Sequence, residues 1–366
     1  MKSSRILIVV KGLGLGGAER HVVDIAIALA QAGHSVSVCY LLPNKNALVS
    51  ELNDAGVAVE CIGGRVWWID VVPKFLRAVF HDKPDIVHAH LPVPAIIARL
   101  CKPFFRYSLV FTEHNMLDRL HGLTRTAHRF THALDDVSIS CSRAVAQSLP
   151  WPSEVIDNGI AVPAYSPKPL KRGPLRSKLG ISEESVLFIS VANLWAKKNH
   201  RLLIDAFNEA FKDEGEGAAN LVLVGQDGTE RERLERHVDR LTTKKNIHFF
   251  GGHPNASSLL PEADVFCLSS DFEGLPIALL ESMAAGIPSV TTKVGGIPSA
   301  VIDYQTGCLV DPRDQENYAL ALRYLFENPS VRRGMGEAAF NLVRKNFSLE
   351  SMMIKTIKAY EKALVN

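Results

Sequence analysis

Residues 269–296 read SSDFEGLPIALLESMAAGIPSVTTKVGG. The pattern predicts a strand end, a tight turn and a helix, because Gly274 precedes Pro276, which suits a first helical position, and Gly286–Pro288 closes the apolar run. Glu273 and Glu281 flank that run. A carboxylate inside LPIALLESMAAG is costly to bury unless something hydrogen-bonds it, so Glu281 is expected to face a cleft or a polar ligand. At about 1.5 Å of rise per residue the two carboxylates lie up to about 12 Å apart, which suits the two ends of one elongated ligand and is too far for a shared proton. The competing reading is a solvated helix edge that carries two acids.

Outward from this stretch, short apolar runs alternate with segments of helical period. RILIVV, HSVSVCYLL, PDIVHAH and DDVSISC form a first series, and VLFISVA, NLVLVGQDG, NIHFFGG and ADVFCLSS form a second. That alternation predicts parallel sheets wound with helices, an α/β class with two domains. Between the series, NGIAVPAYSPKPLKRGPLRSK at 158–178 is rich in Pro, Gly and basic residues and reads as the linker. Two doubly wound domains facing each other make a cleft, and ligands in such sheets bind at the carboxyl ends of the strands. The tail from Asp314 is helical in period and ends in FSLESMMIKTIKAYEKAL, with Ser348 and Ser351 as a cap region.

A chain of 366 residues with 47% hydrophobic content can bury two cores, and a formal net charge of +2 gives no global argument for nucleic acid. The six cysteines, Cys39, Cys61, Cys101, Cys141, Cys267 and Cys308, are scattered, without metal or redox spacing, and read as reduced core thiols of a cytoplasmic protein. No apolar run reaches membrane-spanning length, so membrane contact is expected to be peripheral.

KGLGLGGAER satisfies Gly-x-Gly-x-x-Gly at Gly12, Gly14 and Gly17, between a strand and a helix. A dinucleotide site also wants an acid at the end of the second strand, and HSVSVCYLLPNKN ends without one, which counts against NAD. The amides at the helix start still suit a phosphate, and a glycine turn needed only for packing is the alternative. His88 and His90 lie in a strand end, where His88 suits a satisfied core group, while His114 follows the strand YSLVF in a loop. Between 99 and 130, Arg99, Lys102, Arg106, Arg119, Arg125 and Arg129 are interleaved with Phe104, Phe105, Tyr107, Leu120 and Phe130. Such a segment suits anionic lipid, and equally an ordinary solvated face over core aromatics.

EGLPIALLE, two glutamates with seven residues between them, resembles the paired-glutamate motif of the family 4 retaining glycosyltransferases, and GGAE at 16–19 resembles their first glycine loop. The resemblance runs over nearly the whole chain. It implies a GT-B fold with an acceptor-binding Rossmann-like domain at 1–165, a donor-binding one at 166–346, and a last helix at 347–366 that packs back on the first. It also implies transfer from a nucleotide-diphosphate sugar, a UDP-sugar before a GDP-sugar, to a saccharide or lipid-linked acceptor, with no cofactor and no metal. Glu273 then contacts the transferred sugar and Glu281 the ribose; Gly16 and Gly17 approach the diphosphate or the acceptor, and His114 meets the sugar. Gly274, Leu275 and Pro276 line the donor, Gly225 shapes its pocket, and Gly252 and His253 lie where the base is met. His90, Glu113, Asn115 and Arg119 are the acceptor candidates. Family members commonly pair an arginine with a lysine five residues later; Lys198 matches the lysine, but Asn193 stands at the arginine position, with Trp195 and Lys197 nearby. A nucleotide-sugar epimerase of similar architecture and a non-catalytic binding module remain the alternatives.

Overall fold

The structure, a computed structural model, describes residues 2–64, 67–164 and 173–365. It divides into two units, Met1–Ile160 with Leu349–Asn366, and Ala161–Ser348. The expected linker therefore straddles the division, and its residues 165–172 lie outside the described residues.

The first unit holds a seven-stranded sheet: β1 Arg5–Val10, β2 Ser35–Tyr40, β3 Ala58–Cys61, β4 Ile86–His90, β5 Ser108–Glu113, β6 Val137–Ser140 and β7 Glu154–Val155, in the order β3-β2-β1-β4-β5-β6-β7. Every pairing is parallel. In β1 the strand period of two sends Ile6, Ile8 and Val10 into one apolar cluster and Leu7 and Val9 into another, so both faces are covered and the strand reads as one unbroken apolar run. The last helix, Leu349–Val365, puts Met352, Met353, Ala359, Tyr360 and Ala363 into the first of these clusters. Its Leu349 amide donates to the Ile160 carbonyl at 2.7 Å.

The second unit holds six parallel strands, β8 Val186–Val191, β9 Ala219–Val224, β10 Ile247–Gly251, β11 Val265–Leu268, β12 Ser289–Thr292 and β13 Gly307–Val310, in the order β10-β9-β8-β11-β12-β13. Both orders reverse direction once, between β1 and β4 in the first sheet and between β8 and β11 in the second. Loops leaving neighbouring strands on either side of such a reversal part from one another and open a crevice at the carboxyl ends, where doubly wound sheets take ligands. The fold expected from the sequence, two doubly wound α/β domains, is the fold observed. None of the six cysteines is in a disulfide, and five of them are buried.

Candidate active site

At the reversal in the second sheet, the turn after β8 carries Lys198 and the loop after β11 carries Glu273. Lys198 Nζ donates to Glu273 Oε1 at 2.5 Å and Ser270 Oγ donates to the same oxygen at 2.6 Å. The two side chains are 17% and 9% exposed, so the pair lies at the rim of the unit rather than in its core. The backbones beneath them are joined as well. Ser269 Oγ donates to the carbonyls of Lys198 and Asn199, the Asp271 amide donates to the Lys197 carbonyl, and Asn199 Nδ2 donates to Asp271 Oδ1. Asn199 then caps the helix His200–Phe211 through its side chain, at a positive φ of 46° that asparagine tolerates better than most residues.

From there the chain turns at Gly274 and Leu275 into the helix Ile277–Ala284. Pro276 is the N-cap of that helix rather than its first residue, a shift of one position from the sequence reading. Glu281 is the fifth helical residue and is partly exposed, so the helix carries the second carboxylate away from the first without burying it. The loop is held from behind by Gly295, at φ +54°, where a Cβ would stand 1.9 Å from the Glu273 carbonyl oxygen. No side chain fits that approach, which explains the glycine turn in KVGGIPSAV.

The other expected donor residues have plainer surroundings. Asn193 Oδ1 accepts the Gln226 amide at 2.9 Å, so this side chain ties the β8 loop to the β9 loop. A Cβ on Gly225 would lie 2.1 Å from the Ala192 carbonyl oxygen, so the glycine serves the close packing of the β9 loop on the β8 loop. Gly252 is exposed, and His253 Nδ1 accepts the Asn255 amide at 3.2 Å. Lys197 lies over the Phe272 ring, 5.6 Å from its centroid.

In the first unit, Gly16 is the N-cap and Gly17 the first residue of the helix Gly17–Gln31. His88 is wholly buried with both ring nitrogens engaged, Nδ1 with Tyr360 Oη at 2.7 Å and Nε2 with Thr112 Oγ1 at 2.8 Å, which makes it the satisfied core group expected. His90 and His114 meet through Nδ1 and Nε2 at 3.1 Å. Beside them stands His21, from the helix Gly17–Gln31, with ring centroids 5.6 Å and 5.0 Å away. Burial lowers His21 to about 4 and His88 to about 3, and burial with neighbouring imidazoles holds His90 and His114 well below the usual range. At neutral pH these four rings are uncharged.

Two of the acceptor candidates are wholly buried. Glu113 Oε1 accepts the amides of His114 and Asn115, so this side chain builds the turn that presents His114. Burial raises its pKa to about 7. His90 is also wholly buried, within β4. Arg119 is exposed, 3.4 Å from Asp118, and Asn115 is partly exposed.

Arg99, expected on a basic surface, lies instead in the interior, 0% exposed, with a bidentate pair to Asp135 at 2.7 and 2.6 Å. Its Nη1 donates to His128 Nδ1 at 2.7 Å. Because a guanidinium only donates, His128 carries its proton on Nε2, the atom 3.4 Å from Glu113 Oε2. Arg99→Leu leaves Asp135 buried and unpaired and is expected to destabilise the first unit by about 3–5 kcal/mol. Chemical denaturation checks this, and an unchanged midpoint contradicts it.

Two parallel doubly wound sheets with polar groups gathered at both reversal points define a two-domain, doubly wound class of α/β protein. A family model described as Glycosyl transferases group 1 matches residues 171–342, and one described as Glycosyltransferase Family 4 matches 15–162. The chain is 30% identical over 300 residues to the N-acetyl-alpha-D-glucosaminyl L-malate synthase of Bacillus anthracis, covering 79% of this chain and 76% of that protein. It is 25% identical, over 59% of its length and 56% of the other's, to a UDP-Gal:alpha-D-GlcNAc-diphosphoundecaprenol alpha-1,3-galactosyltransferase of Escherichia coli. The crystal structure of Anabaena Alr3699/HepE in complex with UDP-glucose shares the fold, with TM-score 0.87 at 19% identity over 98% of this chain and 99% of that one. The chain belongs to the family 4, group 1 glycosyltransferases and is a glycosyltransferase of GT-B fold.

Sequence reasoning missed His21 and Ser270. His21 had a signal, since it stands four residues after Gly17 and one helical turn carries it back over the strand ends. Ser270 had only its place beside the turn.

Proposed function

We propose that the chain transfers a sugar, with retention of anomeric configuration, from a nucleoside-diphosphate sugar to a saccharide or lipid-linked acceptor in glycan assembly. The observation that carries this is the Lys198–Glu273 pair at the reversal of the second sheet, with Glu281 one helix further on. As the bond to the leaving diphosphate stretches, negative charge grows on its oxygen, and a cation already fixed in place stabilises that charge without reorganisation. Lys198 serves as that cation, Glu273 holds the sugar hydroxyls, Glu281 holds the ribose, and His114 of the first unit meets the transferred sugar. The amides at the start of the helix Ile277–Ala284 share the diphosphate, so the reaction in this reading needs no metal. A uridine nucleotide is favoured because the galactosyltransferase named above uses UDP-Gal and a fold neighbour is a complex with UDP-glucose. Asn193 in place of the family cation favours, as the second reading, a module that binds donor without turning it over.

A thermal-shift panel of UDP-, GDP- and ADP-sugars, run in excess EDTA, tests the donor, since a ligand that binds only the native state raises its melting temperature by mass action. One sugar nucleotide class is expected to stabilise the chain in chelator. Stabilisation that appears only when magnesium or manganese is restored contradicts the metal-free reading.

The acceptor side carries a candidate membrane face. Phe104, Leu123 and Phe130 are 79%, 76% and 84% exposed, and Arg106, Arg125 and Arg129 are exposed beside them in sequence. No helix among the described residues is long and apolar enough to cross a membrane. This face is proposed to rest on the cytoplasmic leaflet and reach a lipid-linked saccharide, each basic side chain contributing about 1 kcal/mol at an anionic surface. The chain is expected to float with anionic liposomes at low salt and to lose them at high salt, and Phe104→Ser with Phe130→Ser to weaken flotation. Binding that ignores lipid charge and salt contradicts the docking.

A further inference from the structure

We propose that His21, His90 and His114 form a binding site for a zinc-class divalent cation, and that occupying it slows sugar transfer. One nitrogen from each ring can be chosen so that all lie within 4.8 Å of one another. The three come from separate, firmly held elements. His21 stands on the helix that follows β1, His90 ends β4, and His114 follows β5 in the turn fixed by Glu113. All three sit at the reversal between β1 and β4 or next to it.

Two arguments favour a metal over a merely packed cluster. First, tetrahedral zinc with Zn–N distances of about 2.0–2.1 Å places its ligand nitrogens about 3.4 Å apart, and His90 Nδ1 and His114 Nε2 are already at 3.1 Å, so a cation can take the place of the hydrogen they share once that proton moves to the other nitrogen of its ring. Second, His21 Nδ1 is buried without a hydrogen-bond partner. Buried polar atoms normally find one, and a cation held with His90 and His114 would satisfy it.

Three imidazoles with no carboxylate among them select zinc, cobalt, nickel or copper over magnesium or calcium, whose ligands are oxygens. Three protein ligands leave a fourth position for water or a ligand oxygen. His114 is 8% exposed, the most accessible of the three, and marks the way in. Ligation commits the His114 ring, which the proposed reaction needs for the sugar. That inhibition rests on the transfer reading; the binding does not.

The test uses the full-length, tag-free chain and zinc or cobalt salts alone. Equilibrium dialysis is expected to give one zinc per chain with no donor or acceptor present, and X-ray absorption at the zinc edge to show three imidazole neighbours and no sulfur. His21→Gln and His90→Gln, shown to be folded by circular dichroism, are expected to weaken binding more than about a hundredfold, since even losing a hydrogen bond behind a ligand costs about 10–100-fold. If neither variant folds, the wild-type spectrum decides alone. No stoichiometric binding, a sulfur- or oxygen-only shell, or unchanged affinity in a folded variant overturns the site. Zinc should slow wild-type transfer, with recovery in EDTA, and leave folded His21→Gln at the same rate with and without metal. Full-speed transfer by zinc-loaded wild type overturns the inhibition while the site itself stands on the dialysis.

Discussion

Lys198→Ala is expected to lower turnover by about 10²–10³-fold, the loss found when one preorganised donor to a developing negative charge is removed, about 2.7–4 kcal/mol of transition-state stabilisation. The variant is expected to lose stability as well, because Lys198 Nζ also holds Glu273 Oε1 at 2.5 Å and Glu273 is only 9% exposed. Its loss leaves the carboxylate with the Ser270 hydroxyl, so a stability cost of about 1.5–3 kcal/mol should accompany the rate loss. Steady-state rates and chemical denaturation separate the two effects. A variant that loses stability and keeps its rate removes Lys198 from the chemistry and leaves it a strut for the loop.

Glu273→Gln gives the second large effect, with a different signature. The amide oxygen of glutamine can still accept from Lys198 and Ser270, so the loop should survive, whereas its hold on the sugar hydroxyls weakens with the loss of charge. A hydrogen bond to a charged group is worth about 1.5–3 kcal/mol, which translates to about a 10- to 150-fold loss of turnover. Because that contact strengthens as the bond to phosphate stretches, the loss should fall on the rate while free nucleotide binds as before. Weaker binding of free nucleotide in this variant would reassign the carboxylate to the nucleotide.

Much of this was readable before any coordinate. Long apolar runs such as RILIVV and NLVLVG can only be strands buried on both faces, and β1 and β9 are. The strands not anticipated are β3, β7, β12 and β13, of two to four residues each. The paired glutamates stood out because acids are rare within such an apolar stretch. What stayed hidden depends on the partner across space. Arg99 reads as one basic residue among six, and only Asp135, thirty-six residues later, turns it into a buried pair. The same holds for the histidines. His88, His90 and His114 look alike in sequence, yet Tyr360 and Thr112 satisfy the first, while His21 joins the other two from a separate helix.

The most direct test is a calorimetric titration of uridine diphosphate into wild type, Glu273→Gln and Glu281→Ala side by side. Glu281 is assigned to ribose hydroxyls, a contact present in the free diphosphate as much as in the sugar nucleotide. The predicted result is one site per chain in wild type, wild-type affinity in Glu273→Gln, and binding weakened at least about tenfold in Glu281→Ala. Absence of any nucleotide binding by wild type, or one affinity shared by all three proteins, would contradict a donor site built on these two carboxylates.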